Sequence, residues 1–368
     1  MNQTGVAELR LCSGTVPHYK QIVELSGPIL SVLVDEFGTK EVIKRFSNPL
    51  WYSSLACALG FEWQFSGMTT VVLKAIKESL QFHDIGVKLA GGKGLASRQA
   101  PNEIISIGNK FNFNSKKIED LKYSSKMSSK VDDVEIQDSY QIYFHTTIID
   151  EKGNNSIINQ GMNINEQMVR RYHWLNPKQF AEEPHSSIAG SKQKIVLDLS
   201  AKQSRDCRKT IVDIVRDEKP EKIEKTLLLL KRDKSQKKII DFASVKTKII
   251  EIPYYLELPK RLNKKALEVA KQSENFEQII ATNGVGKSTM RGLAYVANLV
   301  YGSQTSWHDP VKFCYSYGTK AGRPWMVEKQ AMSESAKILK QAVEEAKLGE
   351  RQKLNILKRL ARFVEYEI

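Results

Sequence analysis

Hydrophobic residues near the start of the chain recur at helical spacing: Ile22, Val23, Ile29, Leu30, Leu33 and Val34 share one side of a helix predicted over residues 19–47. Gly27-Pro28 interrupts that run and predicts a division into two helices, because proline lacks the N–H that a helix interior needs. Further helices are predicted over 69–82 and over 102–110, the latter with Pro101 fitted to its first turn. Between them, residues 85–90 lead into Gly91-Gly92-Lys93-Gly94, which reads as a loop. Alternation of period two then takes over at 139–150. Tyr140, Ile142, Phe144 and Thr146 point one way, and Gln141, Tyr143, His145 and Thr147 the other. Glu151-Lys152-Gly153-Asn154 supplies a turn, and Ile157 and Ile158 belong to a returning strand, so a β-hairpin is predicted. Bulky residues on both of its faces place it within a larger sheet.

From 202 to about 251 the chain is rich in Lys, Glu and Asp, with Ile223, Leu227, Leu228 and Leu230 at helical spacing. This reads as a helical connector broken near Pro220 and Pro253. From Leu262 onward the pattern is almost wholly helical, with Gly349 between the last two helices. The predicted fold is therefore α+β: a mixed N-terminal domain with a β-hairpin or sheet over 1–195, a charged helical connector over 196–261, and an all-helical C-terminal domain over 262–368.

Charge sharpens this picture. The 368 residues carry 56 Lys and Arg against 42 Asp and Glu, a formal excess of +14 that favours a polyanionic partner. Nucleic acid comes first and a membrane surface second. No apolar run approaches the ~20 residues needed to span a bilayer, and the first twenty positions show no basic segment followed by an apolar one. Cys12, Cys57, Cys207 and Cys314 form no CxxC and read as buried thiols in a reducing compartment. A cytoplasmic protein without a membrane partner is the expectation.

The most specific signal lies at 276–294. Gly286-Lys287-Ser288-Thr289 has the look of a Walker A loop, but that loop needs glycine where the chain has Ala281, and a strand before it where Leu267, Ala270, Phe276, Ile279 and Ile280 read as helix. A helix ending near Ala281 fits better. Gly284 and Gly286 flank Val285, which plugs back between two helices, and a second helix follows with Met290, Leu293, Ala297 and Val300 on one face. This resembles the helix-hairpin-helix of DNA repair enzymes and DNA-binding proteins. Glycine lets the backbone approach a phosphate, and the new helix presents unpaired N–H groups and its positive dipole end. The resemblance implies DNA contacts from Asn283, Gly284, Val285, Gly286, Lys287, Ser288 and Arg291. An ordinary helix turn with Gly284 as its C-cap is the plainer alternative.

As a whole the chain resembles the family known as domain of unknown function 763. The resemblance rests on Thr4-Gly5-Val6-Ala7-Glu8-Leu9, Gly60-Phe61-Glu62-Trp63, Gly91-Gly92-Lys93-Gly94, Lys130-Val131-Asp132, Gln137-Asp138, Gln160-Gly161-Met162-Asn163, Arg170-Arg171-Tyr172-His173-Trp174, Glu183-Pro184-His185 and the Gly284 hairpin. That family implies no activity. The hairpin is also similar to that of base-excision glycosylases, whose lyase members carry a lysine two positions after the second glycine and an aspartate about twenty residues on. Here that lysine position is Ser288, Lys287 stands one residue early, and Asp309 is the aspartate candidate.

The polar stretch 130–185 holds Asp132, Asp133, Glu135, Asp138, His145, Arg170, Arg171, His173, Glu182, Glu183 and His185. Clustered carboxylates with a histidine suit Mg²⁺ or Mn²⁺ and the activation of water against a phosphodiester, with arginines to clamp the phosphate. Asp132, Asp138, His145, Arg171 and His173 are the candidate catalytic residues, with Asp132 and Asp138 as metal ligands. In a continuous strand Asp138 and His145 have opposite parity, and only a bulge brings them to one face. A buried polar network stitching the sheet is the other reading. Lys93, in its glycine-rich setting, is a second phosphate-cradle candidate beside a plain turn. The expected function is DNA binding in DNA processing or repair, with metal-dependent nuclease activity as its catalytic form. The alternatives are a non-enzymatic DNA-binding or recruitment module and a glycosylase-like base-excision enzyme.

Overall fold

The computed structural model describes residues 9–12, 14, 16, 18–61, 65–232, 238–240, 249–251, 253–311 and 329–365. Three helices come first, α1 (Tyr19–Phe46), α2 (Pro49–Ala58) and α3 (Ser66–Ser79), followed by β1 (Val87–Lys93), a short α4 (Leu95–Arg98), α5 (Ala100–Lys110) and α6 (Ser115–Lys130). A π-helical turn (Val131–Glu135) leads into β2 (Ile136–Gln137), β3 (Gln141–Asp150), β4 (Asn155–Asn163), β5 (Met168–Leu175), β6 (Ser187–Ala189) and β7 (Leu197–Asp198). The remainder comprises α7 (Arg205–Asp217), α8 (Pro220–Arg232), β8 (Lys238–Ile240), β9 (Ile249–Glu251), α9 (Lys264–Ala270), α10 (Phe276–Ala281), α11 (Lys287–Leu299), α12 (Lys329–Glu345) and α13 (Glu350–Glu365). The fold is α+β, as the pattern predicts. Among the described residues no helix is long and apolar enough to cross a membrane.

A five-stranded antiparallel sheet ordered β1-β3-β4-β5-β6 lies at the centre. The predicted hairpin is β3–β4, and Asp150 ties its turn by accepting from the N–H groups of Lys152 (3.0 Å) and Asn154 (2.7 Å). The simple alternation read along 139–150 does not hold. The register slips between Ile142 and Phe144, so Tyr143 is the extra residue of a bulge and every side chain before it changes face. Tyr140 and Ile142 therefore share a face with Arg170 and Tyr172, while Phe144 and Ile148 lie on the other.

One sheet face presents Phe144, Ile148 and Ile158 to α1–α3, and α12 and α13 close that cluster through Leu339, Val343, Ile356 and Leu360. The opposite face presents Ile157 and Trp174 to Met127, Val131, Leu197, Ile211, Leu227, Val285 and Leu293. That second cluster draws on segments before 195, between 196 and 261, and after 262, so the core runs across both expected domain boundaries.

Three local readings are corrected. Helix α1 continues through Pro28, and its non-helical residue is Gly38 (φ 78°, ψ 160°). The glycines Gly91 and Gly92 belong to β1 rather than to a loop, opposite Thr146 and His145. The expected helical connector does break at Pro220, but its last part pairs as the two strands β8 and β9. Of the cysteines, Cys57 and Cys207 are buried as expected, Cys12 is exposed, and Cys314 lies outside the described residues.

Candidate nucleic-acid interface

Helix α10 begins under an Asn275 cap, whose side chain accepts from the Gln278 N–H, and ends at Ala281. The chain then turns through Thr282-Asn283-Gly284-Val285 and enters α11 at Gly286. A helix precedes the glycines where a phosphate-binding P-loop would need a strand. Val285 is fully buried among Met290, Leu293 and Ile280, which pins the turn to the core. Gly284 takes φ +87°, and a Cβ there would lie 2.8 Å from Asn263 Nδ2 and 3.0 Å from the Ala266 Cβ. Gly286 is extended (φ −127°, ψ −176°) with nothing within 4 Å of a Cβ position.

Helices α2, α6, α9 and α10 each have an asparagine side chain accepting from first-turn N–H groups, whereas α11, like α1, α3, α5 and α7, starts without a side-chain cap. Gly286 gives α11 no such cap. The N–H groups of its first turn therefore have no side-chain acceptor at the cap position, and the positive end of a 13-residue helix lies behind them. Asn283, Gly284 and Ser288 are exposed around this point, and Gly286 and Lys287 are half-buried.

Neighbouring elements grip the turn by its carbonyls. From α6, Lys126 Nζ donates to the Ala281 carbonyl (3.0 Å) and Lys130 Nζ to that of Val285 (2.9 Å). Burial, with repulsion from Lys126, pulls the Lys130 pKa below the usual lysine value. From the start of α9, Asn263 Nδ2 donates to the Gly284 carbonyl (3.1 Å), and the Asn263 N–H donates to Thr289 Oγ1 (3.2 Å). The Lys287 ammonium pairs with Asp133 in the π-turn at 2.8 Å.

Three of the predicted contacts turn out differently placed. Val285 is fully buried, with its N–H on the Thr282 carbonyl (3.3 Å) and its own carbonyl on Lys130 (2.9 Å). Arg291 reaches inward, donating to Gln137 Oε1 (2.9 Å) and to the Tyr255 carbonyl (2.7 Å), and burial lowers its pKa. It braces α11 against β2 instead of facing solvent. Lys93 is exposed at the end of β1, its ammonium 5.8 Å from the centre of the Tyr143 ring.

The candidate catalytic residues do not all converge: Asn159 joins Asp132 and His145, while Asp138, Arg171 and His173 lie apart from them. The Tyr143 bulge brings Asp138 and His145 to the same sheet face, but into different networks. Asp138 accepts from Arg170 (2.8 Å), the Tyr172 hydroxyl (2.6 Å) and the Tyr140 N–H (3.0 Å). Arg170 also donates to Asp309 (2.6 Å), so a fully buried arginine bridges two carboxylates. Burial raises the Asp138 pKa against the pull of that guanidinium. Asp132 instead accepts from Asn159 (2.6 Å) and Trp174 Nε1 (3.2 Å), and its second oxygen lies 2.5 Å from His185 Nε2. His145 is held by Ser125 (2.7 Å), Ser129 (3.0 Å) and Asn159 (2.6 Å), and burial lowers its pKa.

Arg171 and His173 point to the opposite face of the sheet. Arg171 lies over the Tyr52 ring and donates to Ser53 (3.0 Å), while His173 Nδ1 sits 3.0 Å from the Phe46 carbonyl. Burial, with repulsion from Arg171, pushes the His173 pKa down to about 3. The sheet thus separates Asp132, Asp138 and His145 from Arg171 and His173. Among the described residues no group of three or more His, Cys, Asp or Glu is arranged to hold a metal ion. The geometry matches the buried polar network.

Sequence reading missed Lys126, Lys130, Asn263 and Asp133 as neighbours of the turn, and no local signal marks them, since each arrives through tertiary packing. It named Glu135 without singling it out. This carboxyl is fully buried with neither oxygen hydrogen-bonded, and burial pushes its pKa well above the usual range.

What fold and site define is an α+β protein with buried polar networks on its sheet and a Gly-Val-Gly turn between two helices, anchored by its valine and exposed at Gly284. The chain belongs to the family described as protein of unknown function (DUF763), whose pattern it matches over residues 5–327. No curated protein and no solved structure matches it.

Proposed function

We propose that the protein binds DNA through the α10–α11 turn, as a helix-hairpin-helix contact to the phosphate backbone in DNA processing or repair. The observation that carries this reading is the uncapped start of α11 behind a turn whose Asn283 and Gly284 are exposed while Val285 anchors it in the core. A phosphate oxygen satisfies those N–H groups, and the basic excess of the chain adds long-range attraction. Contacts of this kind go to the backbone and do not read sequence. Arg291 acts as an internal brace in this account. The binding module is favoured over the nuclease because the sheet splits the candidate catalytic residues. It is favoured over the glycosylase-like lyase because Lys287 is engaged by Asp133 and Asp309 by Arg170.

Gly286→Asp tests the reading. The site is open and extended, so the side chain fits, and aspartate is a better N-cap than glycine by a few tenths of a kcal/mol. Stability should hold or rise while the carboxylate takes the place of the phosphate. The expected loss of DNA affinity is about 1–3 kcal/mol by fluorescence anisotropy, alike on unrelated duplex sequences. A folded variant with wild-type affinity would sink the proposal.

A further inference from the structure

We infer that the turn is the centre of a longer phosphate track, fed by α6 on one side and by the segment entering α9 on the other. The inference rests on the DNA-binding reading above and extends it to the surface that a DNA strand would follow. Its basis is which charges flank the turn and which of them are already neutralised.

On the α6 side, Lys122, Lys126 and Lys130 stand at i, i+4 and i+8, so they form a single row ending at the turn, where Lys126 and Lys130 touch the Ala281 and Val285 carbonyls. Lys122 is paired with Glu119 at 2.7 Å and contributes least. On the other side, Asn263 fixes the chain to Gly284 and Thr289, which sets Lys260, Arg261 and Lys265 beside the same turn, all three exposed. Lys264 points away into an ion pair with Glu224 at 2.7 Å, and Arg261 lies within electrostatic reach of that carboxylate. Among the described residues, Lys126, Lys130, Lys260, Arg261 and Lys265 make no ion pair at 4.0 Å or less. The cations closest to neutral are therefore Lys122, Lys264 and Lys287, whereas five without an ion pair flank the uncapped helix start on two sides, Lys130 and Arg261 feeling only the more distant Asp133 and Glu224. Fixed positive charges in that arrangement complement consecutive phosphodiesters of one strand, and each neutralised phosphate releases counterions.

The test is the salt dependence of binding to a labelled duplex oligonucleotide, with a single-stranded one in parallel. Each ionic contact contributes roughly 0.9 to the slope of log affinity against log salt on duplex DNA, so wild-type protein should show a slope of about 4 to 5. The variant combining Lys126→Ala, Lys260→Ala, Arg261→Ala and Lys265→Ala should lose about 3 to 4 units of that slope. Gly286→Asp should lower affinity with little change in slope. If the quadruple variant loses its circular dichroism signal, Lys260→Glu with Arg261→Glu, at two exposed positions, gives the same readout and should lower the slope by about 2 or more. A quadruple variant within one unit of wild type, or a wild-type slope shallower than about 2, overturns the track, and a weakened Gly286→Asp would then leave the hairpin reading standing. Wild-type protein that fails to bind DNA at low salt removes both.

Discussion

At Gly284 the backbone is left-handed and a Cβ would press on Asn263 and Ala266, while two residues on Gly286 is extended with open space around it. One glycine is thus required by the fold, whereas the other stands where the fold itself would admit a side chain. Gly284→Ala should destabilise by about 1–3 kcal/mol through strain, and Gly286→Ala by less than about 1 kcal/mol. Chemical denaturation of the pair measures the difference, and equal losses would contradict this division. Asp198 offers a second residue-scale test. It accepts from the Ser200 N–H (2.9 Å) and hydroxyl (2.6 Å), yet burial lifts its pKa from 3.8 to about 6. A raised carboxyl favours the folded state while protonated, so its contribution is complete below 3.8, falls as pH rises, and is gone above 6. His173 works in the opposite sense. Held down at about 3, it favours the folded state above 6.5 and withdraws that support as pH falls. Between pH 4 and 6 the two slopes oppose each other. Asp198→Asn keeps an acceptor oxygen but removes one slope, so the variant should lose about 2 kcal/mol more than wild type on acidification from pH 6 to pH 4. Parallel denaturation curves for the two proteins across that range would show that Asp198 is not protonated in the fold.

The element that couples the sheet to the turn is the π-helical segment Val131–Glu135. It buries Asp132 and Glu135 and turns Asp133 out to meet Lys287. In the proposed DNA complex that ion pair would compete with a phosphate for the lysine. Asp133→Asn should therefore raise DNA affinity and steepen the salt slope by about one unit, since Lys287 then adds a full ionic contact. A drop in affinity would mean that Asp133 positions Lys287 productively. The same elements show what sequence alone conveys. The α10–α11 turn was legible because its geometry is encoded within a few residues: two glycines, one apolar plug and helical periodicity on both sides. The β3–β4 hairpin was legible for the same reason. The Tyr143 bulge was not, because no glycine or proline marks it and only pairing with β4 reveals the slipped register. Nor could the polar stretch 130–185 be sorted into networks. Its residues alternate across two faces of one sheet, and their partners, such as Ser53, Phe46 and Asp309, come from distant segments.

For the molecule as a whole, the question is whether the three sequence-defined segments fold as units. The central sheet is buried on both faces, by one cluster that α12 and α13 complete and by another that α7, α9, α10 and α11 complete. Trp174 and Ile157 pack in a cluster that includes Val285 and Met290, and the buried Arg170 pairs with Asp309 from beyond α11. A fragment of residues 1–195 would leave one face of its sheet open to water and Arg170 with a single carboxylate. Leaving a buried ion pair incomplete costs about 3–5 kcal/mol, and exposing a whole core face costs more, at about 25 cal/mol per Å² of apolar area. Those losses approach the entire stability of a typical domain, about 5–15 kcal/mol. The full chain should therefore melt in one calorimetric transition whose measured and van't Hoff enthalpies agree, and the 1–195 fragment should show no sharp transition, with weak near-ultraviolet dichroism and strong dye binding. A fragment that melts cooperatively with a native aromatic spectrum would show that the N-terminal segment is a domain in its own right, with the shared core acting only as an interface.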